Sequence, residues 1–289
     1  MAGMVRADTD FDRMEQLAEA QYGIAAKKTI QDWREMIADS RTVPDRVKLE
    51  RANSFVNRHV LYADDIVLWH QTDYWATPLE TFGKQAGDCE DYAIAKYITL
   101  RLMDIPVQKL RLFYVRARLS GAEGNRTQAH MVLSYFKSPA ADPLVLDILH
   151  QEILPARSRP DLFPIFSFNH EGLWMEGEKT SSSNPRTRLS RWRDVLQRMR
   201  REGWDPSLSM LSYRSLLSWE AAEIRPALRL ADRSRSSKSR LAKAKLPKKK
   251  IAKVKFRSSE RKATRARATH KAYKTAAKSP PLLRKVVRR

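Results

Sequence analysis

A chain of 289 residues with 42% apolar side chains is long enough for one sizeable core, or for a core with appendages. It carries 55 Lys and Arg against 33 acids, a net charge of +22, and a single cysteine, which excludes an intramolecular disulfide. No run approaches the roughly 18 apolar residues that a membrane-crossing helix needs, so no integral membrane segment is expected.

The charge divides the chain. Arg233–Arg289 hold 23 Lys and Arg and one acid, Glu260, while the first 232 residues balance at 32 basic and 32 acidic. All seven Trp precede this tail. The tail cannot bury enough apolar surface to offset its chain entropy, so it is expected to be disordered. Its charge suits anionic partners such as nucleic acid, anionic lipid or acidic polysaccharide, and equally a solubilising extension. Met1 to Asp12 has acids and no apolar h-region, so read alone it carries no secretory signal. The chain is then either cytoplasmic or begins upstream of Met1.

Residues 1–60 form the expected helical part. Phe11, Met14, Leu17 and Ala18, then Ile30, Trp33, Met36 and Ile37, recur at helical spacing. Arg46 to His59 continues as a third helix, with Val47, Leu49 and Phe55 apolar. Residues 61–205 form the expected core. It opens on turn-rich, aromatic sequence, Ala63-Asp64-Asp65 and Asp73 to Pro78, which reads as an ordered loop. A helix follows Gly87, with Asp88 as N-cap and Asp91 three residues on, and Pro106 ends it. Leu110 to Arg118, Ala129 to Phe136 and Leu144 to Leu149 read as strands, paired antiparallel because their connections are short. Pro160 to Trp174 reads as packed but irregular, Ser181 to Asn184 as a linker, and Arg188 to Arg201 as an amphipathic last helix. Residues 206–232 are expected to be a linker or helical extension, and 233–289 the tail.

Chemistry-bearing residues fall at telling places in this outline. Cys89 stands in the first turn of a helix, where the dipole favours thiolate. His130 opens the second strand and Asp147 sits on the third, so a carboxylate can fix an imidazole tautomer facing the thiol. Asp147 lies among Leu144, Val145, Leu146, Ile148 and Leu149, where an unpaired carboxylate would be costly. The acids Asp88, Glu90 and Asp91 oppose the thiolate. A hard cation such as calcium, held by those oxygens, would reverse the local field, although the spacing is not that of an EF-hand. Plain acidic capping of the helix start accounts for the same acids.

Asp73-Tyr74-Trp75-Ala76-Thr77-Pro78-Leu79-Glu80, Gly87 to Tyr97, Ala129-His130-Met131-Val132-Leu133, Pro143 to Asp147, Phe166-Ser167-Phe168-Asn169 and Gly172-Leu173-Trp174 together resemble the bacterial transglutaminase-like cysteine peptidases of the LapG family. The resemblance runs from about Phe11 to about Gly203. It implies an α+β, papain-like/transglutaminase-like core in which a helix with an N-terminal Cys packs on an antiparallel sheet, here followed by the disordered basic tail. It further implies a calcium-dependent periplasmic protease that cuts the N-terminal region of a large RTX-type adhesin beside a pair of alanines, releasing the adhesin and dispersing biofilm. Such proteases are sequestered by an inner-membrane cyclic di-GMP receptor of the LapD type. By position, Cys89, His130 and Asp147 match the triad, and Asp88 and Glu90, with Asp91, match the calcium-binding acids. The oxyanion donors are expected to be the backbone N–H of Cys89 with Trp75 or Gln85. The chain departs from the family pattern in its basic tail, in lacking a visible signal peptide, and at Ile148, where many members carry Asn. Two other readings share these residues: transglutaminase or amidase-type acyl transfer, and a non-catalytic module whose tail binds nucleic acid.

Overall fold

The computed structural model describes residues 9–121, 124–178, 181 and 183–204. The segment 206–232 and the basic tail lie outside the described residues. Three helices come first: α1 (Phe11–Tyr22), α2 (Ile24–Ala38) and α3 (Asp45–His59). Phe11, Met14 and Ala18 of α1 and Ile30, Trp33 and Ile37 of α2 are buried, as the helical spacing requires.

The segment read as an ordered loop is more structured than expected. It contains a two-residue strand β1 (Leu61–Tyr62) and the helices α4 (Asp65–Leu68) and α5 (Pro78–Lys84). A second short strand, β2 (Ala86–Gly87), pairs in parallel with β1. The start of α5 was written in Thr77-Pro78-Leu79-Glu80: Thr77 caps the Glu80 amide, the Glu80 side chain returns to the Thr77 amide, and Pro78 occupies the first helical position. The aromatic and turn residues upstream hid this signal.

Next comes α6 (Cys89–Leu102), in which every residue from Asp91 to Leu102 is buried. From Asp91 on it has no solvent face, and Trp33 Nε1 of α2 donates to its Thr99 Oγ1 at 2.9 Å.

Six antiparallel strands build the main sheet: β3 (Leu110–Gly121), β4 (Gly124–Tyr135), β5 (Leu144–Leu146), β6 (Leu154–Pro155), β7 (Leu162–Phe168) and β8 (Leu173–Met175). Their spatial order is β6-β5-β4-β3-β7-β8. Leu110, Leu112, Met131, Leu133, Leu146 and Phe168 join the helices in one core, and Val115, Val132 and Val145 form a smaller cluster with Leu162 and Ala156 packed against it.

Three strand expectations need correction. First, β4 starts at Gly124 rather than Ala129, so His130 stands within the strand instead of opening it. Second, β5 ends at Leu146 rather than Leu149. The Asp147 carboxylate captures the amides of Ile148 (2.6 Å) and Leu149 (3.2 Å), and this local turn takes the chain off the ladder. Third, the segment Pro160 to Trp174 is not irregular but supplies β7 and β8. Its Pro164 pairs with Val115 where the register of β3 and β7 shifts, an irregularity that lets proline sit inside a sheet.

The chain closes with α7 (Pro185–Arg188) and α8 (Ser190–Arg201), split at Leu189 by its extended backbone. Trp192, Val195, Leu196 and Met199 of α8 are buried, and Trp192 meets both Phe168 and Tyr97 edge-on. Arg198 binds the loop before α5 through the Trp75 carbonyl (2.5 Å), the Tyr74 hydroxyl (2.7 Å) and the Glu80 carboxylate. Thr77 Oγ1 donates to Glu202 Oε1 at 2.9 Å. Replacing Thr77 with Ala removes the helix cap and this bond together. A loss of about 1–2 kcal/mol is expected, read from denaturant unfolding, and an unchanged midpoint would rule out the cap as a stabilising element.

Candidate active site

Gly87, Asp88 and Cys89 form the turn from β2 into α6. A side chain at position 87 would meet the Asp91 side chain at 2.7 Å, so the residue before the N-cap must be glycine for this turn to close. Asp88 accepts from the Glu90 amide, and the Asp91 carboxylate accepts in return from the Asp88 amide. The other Asp91 oxygen accepts from the Ala76 amide at 2.7 Å, which ties the loop before α5 to the start of α6.

Cys89, Glu90 and His130 line one cavity of about 600 Å³, together with Asp88, Tyr62 and Leu149. The Cys89 thiol donates to Glu90 Oε2 at 2.7 Å. Burial pushes its pKa up, and the charge and hydrogen bond of Glu90, then Asp88, push it further; the Met131 amide acts the other way.

His130 is buried beside Val115 of β3. Leu133 pairs with Leu146, so Asp147 comes level with Val132 and diagonal to His130, within side-chain reach on the same face. His130 Nε2 lies 2.6 Å from Asp147 Oδ1, with both side chains out of solvent. Burial opposes the ionised form of Asp147, but His130 and Arg159 outweigh it and hold the carboxyl well below the usual range. An ionised carboxylate only accepts, so Nε2 carries the proton and Nδ1 is left to accept one.

Two cations missed in the sequence support Asp147. Arg159 Nη2 lies 2.7 Å from Asp147 Oδ2, and Lys96 Nζ donates to the Asp147 carbonyl at 3.3 Å. Burial lowers the Lys96 pKa to about 7, partly offset by Asp147. Lys96 lies within the run Tyr92 to Leu100, where it is the one charged side chain, and that was the signal the sequence offered. Arg159 sat in a stretch taken as irregular and gave none.

The two expected oxyanion donors part company. Gln85 takes left-handed backbone (φ 54°), and its amide turns away to Thr29 Oγ1 at 3.4 Å. Trp75 is buried and stacked on Phe168, and its indole Nε1 has no partner among the described residues.

The acids form two clusters among the described residues. One donor atom each from Asp88, Cys89 and Glu90 lie within 4.8 Å of one another, and so do those of Asp65, Asp88 and Asp91. Asp65, read in the sequence only as part of an ordered loop, starts α4; its Oδ2 accepts from the Tyr74 amide at 2.5 Å and its Oδ1 is buried without a partner among the described residues. Burial and then the charge of Glu90 and Asp91 push Asp88 up to about 10, and burial raises Asp91 and Asp65 as well. A set of buried hard oxygens, one of them unsatisfied, fits a divalent cation such as calcium.

A helix bearing an N-terminal cysteine, packed on an antiparallel sheet that carries a buried His–Asp pair, defines the class of papain-like and transglutaminase-like cysteine peptidases. The family model of the bacterial transglutaminase-like cysteine proteinases matches residues 21–180, and the chain belongs to that family. Solved structures of Legionella pneumophila LapG resemble it throughout their length. The EGTA-treated form is 36% identical over 65% of this chain and 97% of its own, with a TM-score of 0.56. The calcium-bound form is 36% identical over 65% and 98%, with a TM-score of 0.55. Among curated proteins, none matches the chain. A peptidase of this family acts on protein substrates, and among the described residues no helix is long and apolar enough to cross a membrane.

The acid cluster generates a pH dependence of defined sign. The pKa of Asp88 rises on folding, so the folded state holds its proton while the unfolded state loses it. Stability then falls as pH rises from about 4 to about 10. Without divalent cations the protein should therefore melt at a lower temperature at pH 8.5 than at pH 6, and Asp88→Asn should flatten that slope. A slope equal in wild type and Asp88→Asn would remove the cluster as its source.

Proposed function

We propose that this chain is a calcium-dependent cysteine endopeptidase that cuts the N-terminal region of a large RTX-type surface adhesin beside a pair of alanines. The reading carries with it a periplasmic site of action, control of biofilm release, and sequestration by a cyclic di-GMP receptor of the LapD type. The observation that carries the catalytic part is that His130, paired with the buried Asp147, lines the cavity that holds Cys89. Support for a protein substrate comes from the family, and support for calcium from a LapG structure bound to calcium.

In this mechanism Nδ1 of His130 takes the Cys89 proton. The thiolate sulfur attacks the carbonyl carbon of the scissile peptide, and the imidazolium returns the proton to the leaving amine. Water, deprotonated by the same imidazole, then splits the thioester and frees the thiol. Asp147 keeps the imidazole in the tautomer that makes Nδ1 the base and stabilises the imidazolium. The first-turn amide of Cys89 and the unpartnered Trp75 indole N–H are the oxyanion donors this reading favours.

Asp65, Asp88, Glu90 and Asp91 are the residues that would hold calcium. Bound there, the ion supplies positive charge beside carboxylates that otherwise oppose the thiolate. Glu90 is the acid with two demands on it, since it also accepts from the thiol.

The test is incubation with an adhesin N-terminal fragment containing a di-alanine site, with the cut mapped by mass spectrometry. Cys89→Ala should lower cleavage on the order of 10³-fold or more while leaving the melting temperature near that of wild type. Retained cleavage would exclude Cys89 as nucleophile. Excess chelator should suppress wild-type cleavage and added calcium restore it; a rate indifferent to both would remove the metal from the mechanism. Calcium should also raise the melting temperature, and Asp65→Asn should weaken that rise.

A further inference from the structure

The Asp147 carboxylate is gripped unequally. Oδ1 takes three donors: His130 Nε2, the Ile148 amide and the Leu149 amide. Oδ2 faces only Arg159, whose Nη2 lies 2.7 Å away. That contact is a buried ion pair. Arg159 is itself fixed, because Nε and Nη2 form a two-pronged pair with Asp161 at 3.0 and 2.7 Å. It is 3% exposed and does not line the cavity that holds Cys89.

We propose that Arg159 is a positioning residue: held by Asp161, it locks Asp147 Oδ2 so that Oδ1 stays aimed at His130 Nε2. This rests on the reading of His130 as base and Asp147 as its orienting partner. A carboxylate swings about its last side-chain torsion, a broad and roughly two-fold coordinate. A fixed cation on one oxygen removes that freedom and keeps the group ionised, hence an acceptor. The other titratable groups around this pair are His130 from β4, Lys96 from α6, Asp161 beside Arg159, and His150 near Asp161. Lys96 reaches only the Asp147 backbone carbonyl, so it holds the chain and leaves the carboxylate plane to Arg159.

The experiment uses the full chain in calcium buffer and two readouts. The first is the downfield imidazole N–H proton resonance of His130, assigned by its loss in Asp147→Asn. The second is the rate of iodoacetamide labelling at Cys89, the only cysteine of the chain. Arg159→Met should shift or abolish the resonance and slow labelling roughly ten-fold or more, the scale of losing a residue that orients a functional side chain. Arg159→Lys should recover part of both. Arg159→Gln, which can still bond Asp161, should behave like Arg159→Met.

An unchanged resonance in whichever of the Met and Gln variants folds overturns the proposal. So does loss of fold in both, because the role is then structural. Failure of the functional reading has a different signature: labelling indifferent to His130→Ala, with the wild-type resonance and its dependence on Arg159 intact.

Discussion

The site hangs on one buried carboxylate. Asp91 is fully out of solvent, yet it joins two pieces of chain: its own helix start, through the Asp88 amide, and the loop before α5, through the Ala76 amide. Gly87 exists in this form because any side chain there would strike Asp91. The Asp91 amide bonds fix how the loop carrying Trp75 meets the helix carrying Cys89, and α8 reinforces that loop through Arg198. Neither contact involves Cys89, His130 or Asp147 directly, but both set where the start of α6 can stand.

Two buried aspartates illustrate how surroundings decide the state of one residue type. Asp147 has His130, two amides and Arg159 around it, so it stays ionised despite burial. Asp88 has Glu90, Asp91 and Asp65 around it, so its pKa climbs to about 10. The first environment suits a group that must accept a proton bond from an imidazole. The second suits a group that waits for a cation. The thiol lies between them, bonded to Glu90 on one side and sharing a cavity with His130 on the other. In the proposed mechanism, that position makes the acid cluster a control on the nucleophile rather than an ornament of the helix cap.

Basic side chains inside the molecule follow the same logic. Lys96 is almost fully buried and its pKa falls to about 7, a cost that only a structural or functional demand would sustain. It reaches from the helix that begins at Cys89 to the carbonyl of Asp147, and so ties α6 to the end of β5. Arg198 does similar work further out, tying the last helix to the loop before α5.

What the sequence by itself determined was local and periodic. Helical spacing gave α1, α2 and α3, the Gly-Asp-Cys-Glu-Asp turn gave the start of α6, and alternation gave β3. The position of Cys89 and of the acids at 88, 90 and 91 was legible because helix caps announce themselves within a few residues, whereas His130 was expected to open a strand that begins six residues earlier and Asp147 to sit on a strand that ends one residue before it. The tertiary structure alone decided what depends on register and on distant partners. Asp147 meets His130 only because Leu133 pairs with Leu146, and its own carboxylate ends β5, which no strand propensity encodes. Asp65 joins the acid cluster, and Arg159 joins Asp147, across separations that carry no periodic signal. Gln85 looked well placed beside the cysteine, yet its left-handed backbone turns the amide to Thr29. Spacing along a chain reports which face a residue shares with its near neighbours; only packing reports what it finally touches.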